Sequence, residues 1–108
     1  MSNQTEKNLI GVISYIPIVG LIVAYILNRD KKDEFVAFHI RQSLGIHIAY
    51  LVLVVVAMLP VLGFIIYFLG GLFLLVLWLL GVIYALQGQS KPVPILGEKF
   101  NAWFREVA

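Results

Sequence analysis

The chain has 108 residues, enough for one domain, of which 61% are hydrophobic and 13% are charged. Soluble domains average about 45–50% hydrophobic residues and about 25% charged residues. The absence of cysteine excludes disulfides and thiolate metal sites. The formal net charge is +2, and the basic residues flank apolar segments instead of forming a stripe, which argues against nucleic acid as a partner.

Charge is absent from one long central stretch, because no Asp, Glu, Lys or Arg lies between residues 42 and 90. A soluble domain of this size has too little interior to bury such a stretch. Two membrane crossings of about 20 residues each accommodate it. The sequence therefore predicts an all-α integral membrane protein in which residues 1–108 form a single membrane domain.

The first predicted span covers residues 9–27, with the sequence LIGVISYIPIVGLIVAYIL. As a helix this segment rises about 28 Å, close to the thickness of the hydrocarbon layer. Pro17 lies at mid-span, where a membrane helix tolerates proline with a kink. The stretch has no small-residue cleavage site, which predicts a retained span and not a signal peptide.

Two further spans are predicted around the uncharged run. After the charged loop 28–34, Asp33 is expected to cap a helix that begins near Glu34 and crosses the membrane over residues 40–59. Pro60 ends this helix, and a turn at 60–63 leads to a third span over residues 64–86. The pair Gly70-Gly71 is an alternative position for the turn. A turn at Pro60, however, divides the uncharged run into two segments that are each long enough to cross the membrane.

The tail begins with an extended Lys-Pro-Val-Pro stretch and ends in an amphipathic pattern over residues 98–107. Its apolar residues recur at three- and four-residue steps, which predicts a short helix in the membrane interface. The predicted fold is thus a bundle of three transmembrane helices with a short C-terminal amphipathic interfacial helix. The expected contacts with lipid phosphates or the interface are Arg41, Lys99, Trp103 and Arg105.

Orientation follows from the distribution of Lys and Arg around three crossings. The N-terminus and the second loop carry Lys7 only, whereas the first loop, the start of the second helix and the tail carry the other basic residues. This asymmetry predicts a multi-pass protein of a cell membrane, the bacterial inner membrane. The first loop and the C-terminus are expected to be cytoplasmic and the N-terminus outside.

Polar side chains gather on one face of the second predicted helix. At 100° per residue this polar face contains His39, Gln42, Ser43, His47 and Tyr50, and Arg41 lies on the opposite side. Polar groups at membrane depth are costly unless paired, so the face is expected to contact other helices or a wet cavity.

Two interpretations of the polar face stay open at this point. The side chains either form hydrogen bonds that fix the packing of the first and third helices, or line a polar path for a substrate, ion or peptide. A simple metal site is excluded, because His39 and His47 are separated by about 12 Å along one helix and no other histidine exists. No cofactor is therefore predicted.

Catalytic arrangements are equally absent from the sequence. All six carboxylates lie in loops or tails, and no Ser–His–Asp arrangement is visible. The sequence predicts a non-enzymatic structural or interaction subunit that assembles with itself or with another membrane protein in the lipid bilayer. The alternative is a channel-like or protein-translocation component with a polar path lined by the second helix.

The order of segments resembles a known family over residues 8–104. Its marks here are Phe35-Val36, Phe38-His39 and Gln42-Ser43, followed by Gly88, Pro94, Gly97 and Trp103-Phe104. The pattern is similar to a family of small prokaryotic membrane proteins of unknown function, related to the Tic-twenty subunit of the chloroplast inner-envelope protein translocon. The resemblance implies an α-helical integral membrane protein, with a translocon-like or channel-like role and no enzyme activity.

Overall fold

The computed structural model describes residues 3–107, so Met1, Ser2 and Ala108 of the predicted domain lie outside the described residues. The described chain is all-α, as predicted. The helices are α1 (Asn3–Ile13), α2 (Val19–Lys31), α3 (Glu34–Val56), α4 (Leu62–Leu86) and α5 (Gly97–Trp103).

The long helices α3 and α4 form the centre of the molecule. Within residues 3–107, only these two are long and apolar enough to cross a membrane. Helix α1 packs against both, while α2 and α5 pack against α3. The main hydrophobic core includes Tyr15, Ile46 and Leu77, where α1, α3 and α4 meet. The hairpin of α3 and α4 is therefore the scaffold on which the shorter helices are arranged.

Local sequence signals set the ends of α3 and α4 where they were expected. The Asp33 carboxylate accepts a hydrogen bond from the Val36 amide at 3.0 Å, which caps α3. Helix α3 ends at Val56 and α4 begins at Leu62, so the turn lies at residues 57–61, around Pro60. Gly70 and Gly71 lie inside α4 and not at a turn.

The first apolar segment is not one helix, and the predicted span over residues 9–27 is wrong in this respect. The segment breaks after Ile13, and α2 starts at Val19. Pro17 has no amide hydrogen, and Ile18 has a φ of 58°, so the chain reverses instead of kinking. A Cβ atom at Gly20 would lie 2.2 Å from the Ile13 carbonyl oxygen, so this close reversal requires glycine.

Helices α1 and α2 therefore form an antiparallel pair, here called the α1–α2 hairpin. With 11 and 13 residues they rise about 17 Å and about 20 Å, less than the hydrocarbon layer of about 30 Å. Neither helix alone is therefore long enough to cross that layer. The described residues thus contain two helices of spanning length and one short hairpin, in place of the three predicted crossings.

Ion pairs tie the N-terminal helix to the first loop. Glu6 pairs with Lys31, and the Lys7 ammonium lies 2.9 Å from the Asp33 carboxylate. Burial acts to raise the pKa of Asp33, but hydrogen bonds from Lys7 and from the Val36 amide outweigh it and hold the pKa below its ordinary value. The start of α1 therefore lies beside the first loop, whereas the N-terminus and this loop were expected on opposite sides of the membrane.

The charged residues consequently share one end of an elongated molecule that measures 52 × 23 × 23 Å. The Asn8 amide donates to the Leu86 carbonyl oxygen at 3.3 Å, which places the start of α1 beside the end of α4. Helix α5 packs back onto the first half of α3 and brings the charges of the tail to the same end. The turn between α3 and α4, at the other end, carries no charge.

Candidate functional site

The reversal of the α1–α2 hairpin leaves backbone groups without helical partners, and polar side chains of α3 and α4 bind them. The Ser43 hydroxyl donates to the Ser14 carbonyl oxygen at 2.5 Å, and the Trp78 indole N–H donates to the Tyr15 carbonyl oxygen at 2.6 Å. The Ile18 amide donates to His47 Nε2 at 3.0 Å. In an apolar layer, irregular backbone persists only when such partners exist.

The hydrogen bonds of His47 fix its tautomer. His47 Nδ1 lies 2.7 Å from the carbonyl oxygen of Ser43, and because a carbonyl only accepts, Nδ1 carries the proton. Nε2 is therefore free to accept from the amide of Ile18, whose φ is positive. This neutral imidazole thus joins the backbone of α3 to the point where the hairpin reverses.

His39 links the hairpin to the segment after α4. Its side chain is fully buried, and its Nδ1 accepts from the Tyr15 hydroxyl at 2.8 Å. Its Nε2 donates to the Gln89 carbonyl oxygen at 2.7 Å, so this histidine has the tautomer opposite to that of His47. The rings of Phe35 and Phe38 meet it edge-on and close the site.

Gln42 holds the extended tail in the same way. Its Oε1 accepts from the Val93 amide at 3.0 Å, and its Nε2 donates to the Gly97 carbonyl oxygen at 2.6 Å. The extended stretch between α4 and α5 has no sheet to join, so the fully buried amide of Gln42 supplies partners that a neighbouring strand would give.

Helix α5 lies close to α3, and glycine allows this approach. A Cβ atom at Gly45 would lie 2.2 Å from the ring of Phe100, which is itself buried. The helix is shorter than the predicted 98–107, because it ends at Trp103 and residues 104–107 form turns. The apolar side of α5 that contains Phe100 therefore packs on α3, while Lys99, Trp103 and Arg105 are exposed.

Arg41 lies in a different environment from the predicted contact with lipid phosphate. Its side chain is 8% exposed, and its Nη1 donates to the Asn101 side-chain oxygen at 2.9 Å. Its Nη2 lies 3.9 Å from the Glu34 carboxylate. The guanidinium thus connects the start of α3 to α5.

Tyr50 is the member of the polar face that contacts no irregular backbone. Its hydroxyl lies 2.7 Å from that of Tyr67, so the pair joins α3 to α4 near the surface. Tyr50 also lines an open apolar groove of about 600 Å³ below the reversal of the hairpin, together with Pro17, Ile18, His47, Gly71 and Trp78.

Sequence reasoning missed Ser14, Tyr15 and Trp78 as parts of this site. A Cβ atom at Gly81 would lie 2.4 Å from the Tyr15 ring, so Tyr15 occupies a space that glycine opens in α4. The signal was the group Ser14-Tyr15-Ile16-Pro17, which combines polar side chains with a residue that removes a backbone donor. Within residues 3–107, no group of three or more His, Cys, Asp or Glu side chains is placed to hold a metal ion.

Comparison with known proteins assigns the chain to a family. Residues 6–100 match the model of the MamF_MmsF family, described as the magnetosome magnetite crystal formation protein family. The chain belongs to this family. It is also 28% identical to the UPF0132 membrane protein MJ1527 of Methanocaldococcus jannaschii, over 98% of this chain and 76% of that protein. No solved structure matches the chain.

The comparisons support a small membrane protein. They do not show the expected relationship to the chloroplast translocon subunit, which stays a prediction. The two long apolar helices agree with the membrane assignment.

The substitution His47→Ala tests the bond at the hairpin reversal. It leaves the amide of Ile18, an exposed residue at the reversal, without an acceptor, and an unsatisfied donor in an apolar layer costs about 1–3 kcal/mol. We expect a loss of that size in the free energy of unfolding, measured by denaturant titration in bicelles.

Tyr50→Phe is the matched control, because it removes one hydroxyl from a partly exposed pair on the same helix. Its expected loss is below about 1 kcal/mol. Equal losses in the two variants would show that the hydrogen bond from Ile18 does not stabilise the hairpin.

Proposed function

We propose that the protein is a non-enzymatic structural or interaction subunit of a cell membrane, which assembles with itself or with another membrane protein. One observation carries this proposal: the deep polar side chains of α3 are used inside the molecule. His39, Gln42 and Ser43 are each fully buried and bonded to backbone or side-chain partners of the hairpin and the tail. A polar path would require these groups to be open to water or solute.

The groove below the hairpin supports assembly with a second copy. Because the hairpin is short, most apolar side chains of α3 and α4 near the turn at residues 57–61 are exposed in the described part of the chain. Gly71 lines the groove, and a Cβ atom placed there would meet nothing within 4 Å. A glycine that faces open space on a membrane helix permits the close approach of another helix. We therefore propose this groove as the face for self-association.

The orientation proposed here differs from the one expected for three crossings. The start of α1, the first loop and α5 share the charged end, where the Lys and Arg residues lie. By the positive-inside rule this end is cytoplasmic, and the turn at residues 57–61 lies outside. The lipid bilayer is then the principal partner, and no nucleic acid is expected to bind.

The family description names magnetite crystal formation. A subunit that organises a membrane through contacts with other copies is compatible with that description. The membrane setting proposed for this chain comes from the relative MJ1527, and no chemistry is taken from the family description.

The second candidate is a channel-like or protein-translocation component. His47 and Tyr50 line the groove and are its polar members on α3, which favours this alternative over an enzyme. The resemblance to the chloroplast translocon subunit points in the same direction. In this case the groove between copies, and not the buried face around Gln42, would be the path.

Cysteine accessibility distinguishes a packing role from a path at the deep polar residues. The chain contains no cysteine, so each introduced thiol is the sole target of a water-soluble maleimide. We expect Ser43→Cys to react in intact membranes no faster than Leu53→Cys, a buried apolar position. Lys91→Cys at the exposed charged end is the positive control. Rapid labelling of Ser43→Cys in folded protein would contradict the packing role.

Crosslinking tests the proposed assembly. A benzophenone maleimide attached to Gly71→Cys, irradiated in the native membrane, is expected to give a product of twice the mass of the chain. Val61→Cys, in the exposed turn away from the groove, is the control. A product no more abundant than with the control would contradict self-association through the groove.

A further inference from the structure

A second cavity lies at the charged end and has no part in the polar face described above. Its volume is about 420 Å³, and it lies between the last two turns of α2, the start of α3 and the C-terminal segment. Its lining includes Tyr25, Arg29, Lys32, Glu34, Ile40 and Val107.

The charges that line this cavity are predominantly basic. Two neighbouring lysines at this end pair with carboxylates, Lys7 with Asp33 and Lys31 with Glu6. No ion pair within residues 3–107 includes Arg29 or Lys32. The one lining carboxylate, Glu34, has the Arg41 guanidinium at 3.9 Å. The cavity therefore presents two cations that are open to an external anion.

The residues that line the cavity lie at different depths along α2 and α3. Tyr25 and Arg29 are four residues apart and share one side of α2, and Lys32 is the left-handed residue that directly follows the helix. Tyr25 lies one turn deeper along α2 than Arg29, and Ile40 lies nearly two turns into α3. The cavity thus has cations at its outer rim and an aromatic and an aliphatic side chain toward the apolar layer.

We propose that this cavity binds the phosphate-bearing headgroup of an anionic membrane lipid. Arg29 and Lys32 face the phosphate, because guanidinium and ammonium groups bind phosphate oxygens with charge-assisted hydrogen bonds. Tyr25 and Ile40 face the glycerol and the first acyl carbons. Inorganic phosphate has the same anionic chemistry but would leave Tyr25 and Ile40 without a contact. The apolar side chains beneath the two cations therefore favour a lipid. This proposal does not depend on self-association.

Native mass spectrometry of the full chain in a nonionic detergent tests the site. Phosphatidylglycerol, phosphatidylcholine and inorganic phosphate are added separately, and the bound fraction is titrated. We expect retention of phosphatidylglycerol and not of phosphatidylcholine. Each basic residue near an anionic lipid contributes about a five-fold change in binding, so Arg29→Gln with Lys32→Gln should weaken binding by roughly 25-fold.

Lys91→Gln with Lys99→Gln is the matched control, because it removes the same net charge at the same end but outside the cavity. Its expected effect is below about five-fold. Equal losses in the two double variants would overturn the site, since they would indicate attraction by net charge alone. Equal retention of phosphatidylcholine, or displacement of the lipid by equimolar inorganic phosphate, would overturn the assignment to an anionic lipid.

Glu34→Gln is a second test that serves if the basic double variant fails to fold, because its expected effect on lipid binding is opposite in sign. It removes the one lining carboxylate and should tighten binding of phosphatidylglycerol by about five-fold. Unchanged or weaker binding would contradict the proposal, because the carboxylate would then not face the anion.

Discussion

Every backbone group that leaves a helix in an apolar layer needs another hydrogen-bond partner, and this constraint organises the molecule. The first apolar segment reverses at Pro17 and Ile18, where proline lacks a donor and the chain leaves helical geometry. Ser43, His47 and Trp78 supply the partners. Because two of these side chains project from α3, the hairpin can only pack where that helix presents them.

Helix α3 binds irregular backbone at two places with one row of side chains. Ser43 and His47 bind the hairpin, and Gln42 binds the extended tail. His39 contacts both, through the Tyr15 hydroxyl and the Gln89 carbonyl oxygen. The two histidines have opposite tautomers because Nε2 of His47 accepts from a backbone amide, whereas Nε2 of His39 donates to a carbonyl oxygen. The polar start of α3 thus forms its hydrogen bonds within the molecule, while the groove and the cavity at the charged end are open.

The sequence predicts the long elements well, because their signals are local. The uncharged run, the cap at Asp33 and the stop at Pro60 are sufficient to locate α3 and α4. The hairpin is not predictable from hydropathy, since a short reversal and a full span contain similar apolar residues. The grouping of polar residues on α3 is visible on a helical wheel, but their partners Ser14 and Tyr15, and the bond from Trp78 to Tyr15, depend on tertiary contacts. The burial of Arg41 was not predictable for the same reason, because its contact with Asn101 depends on the position of α5.

The distance between the two ends of the hairpin tests this arrangement most directly. Spin labels at Thr5→Cys and Asp30→Cys, measured by double electron–electron resonance in lipid nanodiscs, flank the whole segment. The ion pair between Glu6 and Lys31 places their neighbours close together, so the hairpin predicts a narrow distribution below about 20 Å. A continuous helix would separate the labels by about 37 Å. A distribution centred near that longer distance would contradict the hairpin and the role assigned to the polar face.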